Sequence, residues 1–199
     1  MNDACSPVTA VGSPSEALSV YCVQCLSGHE RVLADSIDAR YLGIDAMAVL
    51  QETHRSQSGE KTLAQRIMLP GYVFLFSGLP VPFHEILSLP NVVRFLSYGN
   101  AEDRALRGDD LTFADWIKRY GGVLGCSKAV REGSRLIIVH GPLKDHIGIV
   151  EKVDRHNRNV CLKIPFSQNV RTVWMPFQWA EETDRSLILE LHRNNSETE

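Results

Sequence analysis

The hydrophobic pattern of this chain changes at Gly121-Gly122, and this change constrains the fold more than any other feature. Before it, apolar residues at strand spacing alternate with apolar residues at helical spacing. After it, only short β-prone runs remain, and turn residues separate them at close intervals. The sequence therefore predicts an α+β fold in two parts: an α/β sandwich domain with helices packed on one sheet, followed by a small all-β barrel.

The length of 199 residues suits one or two domains. Pro7, Gly12 and Pro14 mark the start of the chain as a flexible tail, and Gly121-Gly122 opens the best candidate for a linker. The predicted organisation is a tail at 1–19, a first domain at 20–120, a linker at 121–129, a barrel at 130–182 and an extension at 183–199 with a disordered end.

The first domain is predicted to begin with a strand at Val20–Leu26. Ser27 and Glu30 have the spacing of a capping box, in which a hydroxyl and a carboxylate accept hydrogen bonds from the amides at a helix start. A helix should follow, because apolar residues then recur every four positions. Further strands are predicted at 46–53, 72–76 and 91–98, helices at 83–89 and 109–120, and a polar hairpin tip between 54 and 65. In the last helix the candidate buried positions are Leu111, Phe113, Trp116 and Ile117.

The second domain reads as short strands joined by tight turns. Glycines 141 and 148 stand where a small barrel needs close backbone packing, and Pro142 fixes the turn between them. The predicted strands are Arg135–His140, Gly148–Val153, Val160–Pro165 and Val170–Met175.

Composition excludes several classes of protein. No apolar run approaches the roughly 18 to 20 residues of a membrane span, and the first residues lack the basic start and apolar stretch of a signal peptide. Five scattered cysteines suit reduced thiols in the cytoplasm. Cys22 and Cys25 resemble a metal or redox pair, but residues three apart on a strand face opposite sides of the sheet.

Motifs of catalysis are missing from the sequence. It contains no nucleophile elbow, no phosphate-binding glycine loop and no His-Glu-x-x-His helix. We therefore expect a protein that is not an enzyme and that has no cofactor and no metal site.

Charge is distributed unevenly along the chain. Residues 125–180 carry nine basic and four acidic side chains, although the whole chain has a net charge of −3. An excess of five positive charges on so short a segment suits a polyanionic partner such as RNA. A solvated basic surface without a partner is the alternative.

The predicted strand at 72–76 is apolar on both faces. Alternation places Tyr72, Phe74 and Phe76 on one face and Val73 and Leu75 on the other. Such a strand is either buried on both sides or carries an exposed hydrophobic patch on one side.

Two motifs carry a resemblance to a known family. Leu69-Pro70-Gly71-Tyr72-Val73-Phe74 resembles the core motif of the N-terminal domain of NusG-type transcription elongation factors. The segment from Gly141 through Arg155 resembles the KOW motif, which lies in the SH3-like barrel that follows in the same family. Three flanking segments are similar to the family in the same order, over about residues 20–180: Tyr21–Gln24, Ser27–Glu30, and Leu89–Val92 with Phe95.

The resemblance implies a partner for one patch of the first domain. Gln24, Leu69, Tyr72 and Val92 would bind the clamp helices of the largest RNA polymerase subunit, with most of the binding energy in a few central side chains. We expect Leu69→Asp or Tyr72→Ala to abolish polymerase binding while the domain stays folded. This prediction requires an accessible apolar surface around Leu69 and Tyr72.

The resemblance also implies contacts with nucleic acid. His54 and Arg55 of the hairpin would touch the non-template DNA strand through phosphate contacts and base stacking. A solvated hairpin is the alternative. The barrel would bind nascent RNA, including a leader hairpin, through its basic side chains: Lys144, His146, Lys152, Arg155, Arg158, Lys163 and Arg171.

Within the family, the segment 125–130 leading into Gly141 looks most like the LoaP-type paralogs, which promote processive antitermination. Four positions depart from the patterns expected for the family and this subgroup: Val20 replaces tryptophan, Leu69 an aromatic residue, Phe166-Ser167 a Phe-Gly pair, and Asp145 a glycine. In the general factor the Phe-Gly pair lies in a hairpin that contacts a ribosomal protein, so ribosome coupling is not expected here.

These observations favour a cytoplasmic, monomeric antiterminator. The alternatives are a general elongation and termination factor, whose barrel binds protein partners, and a ribosome-associated KOW protein. Refolding of the barrel into helices is disfavoured, because its strands are rich in β-branched residues and its turns contain Gly-Pro.

Overall fold

The N-terminal half is built on a four-stranded antiparallel sheet. The computed structural model describes residues 18–57 and 60–181, and between 54 and 63 only the backbone. The sheet has the order β2-β5-β1-β6. Its strands are β1 (Ser19–Cys25), β2 (Ile44–Ala48), β5 (Tyr72–Ser77) and β6 (Val92–Phe95). The tail before residue 18 and the predicted extension at 183–199 lie outside the described residues.

Three helices accompany this sheet: α1 (Glu30–Arg40), α2 (Phe83–Leu87) and α3 (Asp109–Arg119). The predicted capping box at the start of α1 is wrong, because the N-cap residue is His29 and no side chain caps the helix. The carboxylate of Glu30 instead accepts hydrogen bonds from the amides of Gly28, at 3.0 and 3.1 Å, and Gly71, at 2.6 Å. Glu30 thus ties the first turn of α1 to the loop that precedes β5.

The predicted strand at 46–53 is two strands. It is interrupted at Val49, where β3 (Leu50–Gln57) leaves the central sheet and pairs with β4 (Glu60–Ile67) as a hairpin. The short strand β7 (Val123–Leu124) adds to β3 in parallel. The three strands form a separate sheet of order β4-β3-β7.

The C-terminal half, which we call the barrel, is a five-stranded sheet of order β10-β11-β12-β8-β9. Its strands are β8 (Ser127–Glu132), β9 (Arg135–His140), β10 (Ile149–Asp154), β11 (Asn159–Phe166) and β12 (Asn169–Trp179). The last strand is long enough to pair with β11 along its length and then with β8 in parallel. The first, β8, begins inside the segment predicted to be a linker.

The two glycines of the KOW-like motif stand where the backbone allows no side chain. A Cβ on Gly141 would come within 2.8 Å of Ser127 Cα, and one on Gly148 within 2.7 Å of the Lys163 carbonyl oxygen. Gly141 also has a φ of +92°, which glycine adopts readily. The architectural role predicted for both glycines is confirmed.

The described residues pack into two hydrophobic clusters. The first lies between the central sheet and helices α1 and α2 and includes Leu33, Ile37 and Ile86. The second covers the other face of the sheet and extends through α3 into the barrel. In α3, Phe113, Trp116 and Ile117 are buried as predicted, whereas Leu111 is only partly buried.

Cys22 and Cys25 belong to different clusters, so they face opposite sides of the sheet as predicted. Burial raises the pKa of the Cys22 thiol well above its ordinary value and that of Cys25 to about 11. Among residues 18–57 and 60–181, no group of three or more His, Cys, Asp or Glu is placed to hold a metal ion. Within the same residues, no helix is both long and apolar enough to cross a bilayer.

Candidate functional site

The structure brings together only part of the predicted polymerase-binding patch. Gln24 on β1 and Tyr72 on β5 are direct cross-strand partners, and Gln24 accepts a 2.9 Å hydrogen bond from Arg94 Nε. Tyr72 packs against the cluster shared with the barrel. Val92 packs against the cluster under α1 and α2, so its side chain belongs to the opposite layer.

Leu69 is buried, with 4% of its surface exposed. It belongs to the cluster that joins the central sheet to α3 and the barrel. The expectation of an accessible apolar surface around Leu69 and Tyr72 is therefore wrong for this arrangement of the chain. Leu69→Asp would bury a carboxylate and damage the fold, which leaves Tyr72→Ala as the cleaner probe of this face.

The side chain that covers this face is Phe166, at the turn between β11 and β12. Its ring centre lies 5.3 Å from that of Tyr72, 5.5 Å from that of Phe74 and 5.2 Å from that of Phe113. Phe166 itself is 1% exposed. A barrel residue thus completes the core on the Tyr72 face of the central sheet.

Polar contacts surround this aromatic contact. The guanidinium of Arg171 donates a 3.1 Å hydrogen bond to the Tyr72 hydroxyl, and its carbon lies 5.6 Å from the Tyr72 ring centre. The buried Nε of Arg171 has no hydrogen-bond partner among the described residues. The indole of Trp116 on α3 donates a 3.2 Å bond to the carbonyl of Pro142 in the barrel.

Asp110, in the first turn of α3, accepts a second set of hydrogen bonds that involves the barrel. One carboxylate oxygen accepts a 2.7 Å hydrogen bond from the backbone amide of Ser167, and the other accepts a 2.6 Å bond from the Tyr98 hydroxyl. Burial and the hydrogen bond to Asp110 raise the pKa of Tyr98 above its ordinary value. Asp110 therefore holds the residue that follows Phe166.

The DNA-binding candidates His54 and Arg55 lie on β3, with Leu63 and Thr62 opposite them on β4. Their side chains fall outside the described residues, so their proposed contacts stay a prediction.

The seven predicted RNA-binding residues do not form one surface. Lys144, His146 and Arg155 line a groove between the edge strands β9 and β10. Lys163 forms a 2.6 Å ion pair with Glu151, whereas Lys152 is exposed on β10. The other two, Arg158 and Arg171, lie where the barrel meets the N-terminal half.

Sequence reasoning missed the residues that join the two halves. It noted Phe166-Ser167 only as a departure from the family, and it did not single out Asp110 or Gln51. Gln51 is 1% exposed, and its amide nitrogen donates to the carbonyl of Trp174. A buried polar residue whose partner lies over 120 positions away leaves no local sequence pattern. The departure at Phe166-Ser167, in contrast, pointed to a residue that joins the two halves.

Comparison with known proteins bears on the first half most directly. Residues 19–111 match the family model described as "Transcription termination factor nusG". The match covers just under half of the chain and shows that its N-terminal region is similar to this family.

Relatives along most of the chain have low identity. The transcription termination/antitermination protein NusG of Yersinia pestis is 23% identical over 173 residues, which cover 81% of this chain and 94% of that protein. A solved structure described as "Domain interaction in Thermotoga maritima NusG" is 18% identical, with a TM-score of 0.46, and covers 80% of this chain and 94% of its own. The MjSpt4:Spt5 complex in conformation B is 16% identical, with a TM-score of 0.28, and covers 79% and 91%.

Proposed function

We propose that this protein is a cytoplasmic, monomeric transcription elongation regulator that binds RNA polymerase through the Tyr72 face and promotes processive antitermination, in the manner of LoaP-type paralogs. The barrel recruits nascent RNA. The observation that carries this proposal is the Leu-Pro-Gly-Tyr motif in a region that matches the nusG family model, together with the contact of Tyr72 with Phe166 from the C-terminal half.

The proposal requires that the barrel leave the Tyr72 face before polymerase binds. Phe166 and the clamp helices of polymerase would then compete for the same surface. A ligand that binds the undocked barrel more tightly than the docked one shifts the population toward the uncovered face. Two modest contacts on one chain also strengthen each other through effective concentration.

The protein has no catalytic role in this proposal. The family description and the Yersinia relative both name transcription factors, and the chemistry of transcription belongs to polymerase. The predicted absence of a cofactor and of a metal site remains part of the proposal.

The test is in vitro transcription through an intrinsic terminator, with and without the native leader upstream. We expect read-through to rise in the presence of the protein only on the template that carries the leader. Tyr72→Ala should remove both the effect and the co-purification with polymerase. The matched control is Val93→Ala, which alters an exposed residue on β6. Unchanged polymerase retention by Tyr72→Ala would refute the proposed contact.

A general elongation and termination factor is the second candidate. The name of the Yersinia relative, which covers most of both chains, favours it. In that case the barrel binds proteins, and its effect on transcription does not depend on the leader. Read-through or pausing that changes equally on both templates would support this candidate over the first.

A further inference from the structure

A cleft of about 480 Å³ lies where the base of the β3–β4 hairpin meets the barrel. We call it the junction cleft. The hairpin contributes Gln51 and Arg66, and the barrel contributes Asp154, Arg158, Asn159 and Trp174. Its volume falls within the range of small-ligand sites. The predicted DNA-binding and RNA-binding residues account for only one member, Arg158.

Trp174 gives the cleft an aromatic surface. It is 37% exposed, whereas its neighbours on β12, Val173 and Met175, are buried. The amide of Gln51 donates to the Trp174 carbonyl, which fixes the backbone that carries the indole. An indole at the wall of a polar cleft is a platform on which a nucleic-acid base can stack, independent of the sequence of the strand.

Each half of the chain contributes one arginine to the lining of the cleft. The Arg66 guanidinium donates bonds of 3.1 and 3.2 Å to Gln51, which orients it and leaves further N–H groups for a ligand. Arg158 lies in the turn between β10 and β11 with a φ of +54°. Both belong to the cleft lining, so they are available to bind the phosphates that flank a stacked base.

Asp154, an acidic residue that lines the cleft, forms hydrogen bonds within the turn that follows β10. Asp154 accepts hydrogen bonds of 2.9 and 2.8 Å from the backbone amide and side-chain amide of Asn157. The side-chain nitrogen of Asn159 donates a hydrogen bond to the Asn157 carbonyl. The side-chain oxygen of Asn159 is then available to accept a hydrogen bond from the edge of a base. Two cations, an indole and an amide oxygen are the groups that bind a single nucleotide of an unpaired strand.

We propose that the junction cleft binds one unpaired nucleotide of a single-stranded nucleic acid, with its base stacked on Trp174 and its flanking phosphates on Arg66 and Arg158. Because both halves of the chain line the cleft, the site is complete only while the barrel is docked. The strand is either nascent RNA or displaced DNA, which share this chemistry. The site does not depend on polymerase, so it can be tested on the protein alone.

The test is a titration of the full chain with short oligo-U and oligo-dT strands, followed by tryptophan fluorescence and by anisotropy of a labelled strand. We expect quenching of Trp174, and an affinity loss of about fivefold or more in Trp174→Ala. Trp174→Phe, which keeps a smaller aromatic ring, should retain part of the binding while losing the quenching. Circular dichroism of each variant separates a binding defect from a folding defect.

Matched variants separate a built site from general attraction to positive charge. Arg158→Ala should weaken binding more than Arg131→Ala, which removes the same charge from an exposed position on β8 that lines neither the junction cleft nor the groove between β9 and β10. Phe166→Ala, which removes the docking side chain, should also weaken it. The tighter of the two strands identifies the source as RNA or DNA.

Two outcomes would overturn the proposal. One is equal weakening by Arg158→Ala and Arg131→Ala together with unchanged binding by Trp174→Ala. The other is a duplex that binds as tightly as the single strands without quenching. Neither result concerns the proposed binding of polymerase by the Tyr72 face, which is tested separately with Tyr72→Ala.

Discussion

The two faces of strand β5 are both apolar and both buried, but they are covered in different ways. Val73 and Leu75 pack under α1 and α2, which come from the same half of the chain. Tyr72 and Phe74 contact Phe166, a barrel residue over 90 positions away. The first cover is part of the domain that it protects, whereas the second can be removed in principle by moving the barrel. Burial alone therefore does not distinguish a face that is covered within its own domain from a face that is covered by another part of the chain.

The largest effect is expected on the face under the helices. Leu75→Asp places a carboxylate at a fully buried position with no partner, which should cost about 4–5 kcal/mol or more and unfold the N-terminal half. Thermal unfolding followed by circular dichroism measures it. Val93→Asp, at a residue 53% exposed, is the control and should melt close to the unaltered protein. A Leu75→Asp variant with an unchanged melting temperature would remove the distinction between the two faces.

A smaller and more selective effect is expected when the cover of the other face is altered. Phe166→Ala removes a buried ring, a change that costs about 3–5 kcal/mol in a protein core. Because the ring completes a contact between the two halves, we expect the loss to appear as undocking of the barrel, with both halves still folded. Small-angle scattering should give a larger radius of gyration, and polymerase should bind more tightly.

The control for Phe166→Ala is Val170→Ala, at a residue 63% exposed on the following strand. It should change neither the radius of gyration nor polymerase binding. A Phe166→Ala variant that stays compact and binds polymerase no better would contradict competition between Phe166 and polymerase.

The polar contact beside Phe166 should contribute less. Asp110→Ala leaves the Ser167 amide and the Tyr98 hydroxyl without their acceptor, at a cost of about 1–3 kcal/mol. We expect partial undocking, measured by the same scattering experiment. Asp109→Ala removes an exposed carboxylate from the same helix turn and controls for the helix dipole. Equal effects of the two variants would show that the Ser167 contact adds nothing to docking.

The smallest effect is expected at the barrel surface away from the junction. Glu151→Gln breaks the exposed ion pair with Lys163, which should leave the melting temperature unchanged. RNA affinity should rise modestly, because Lys163 is then available for a phosphate. Anisotropy titration measures this, with Glu85→Gln on α2, an exposed position away from the barrel, as the control. A fall in RNA affinity would count against Lys163 as a phosphate contact.

The sequence predicted the features that depend on local pattern. The two-sided apolar strand at 72–76, the buried residues of α3 and the glycines of the KOW-like motif follow from periodicity and turn chemistry, and the structure agrees with them. The capping box failed for a reason that no local pattern contains. The Glu30 carboxylate is used by the amide of Gly71, which the fold brings to it from another loop.

The candidate site was predictable only in part. Tyr72 and Gln24 are neighbours as the resemblance implied, but their cover depends on the docking of two distant segments. The strand prediction at 46–53 also missed the break at Val49, because the β-prone run continues through it while the strand changes sheets. The sheet that a strand joins depends on its partner strands, which cannot be identified from the residues of that strand alone.

The short strand β7 limits how the barrel can move. Only Gly125 and Cys126 separate it from β8, so the chain from Leu124 to Ser127 can span at most about 10 Å. If β7 separates from β3, the free segment instead begins near Tyr120 and can span about 25 Å. Large travel of the barrel therefore requires loss of the parallel pairing at the root of the hairpin. Exposure of Tyr72 would then be coupled to loss of the β3–β7 pairing at the base of the hairpin. The proposed polymerase-binding face and the proposed DNA-binding hairpin would therefore change together.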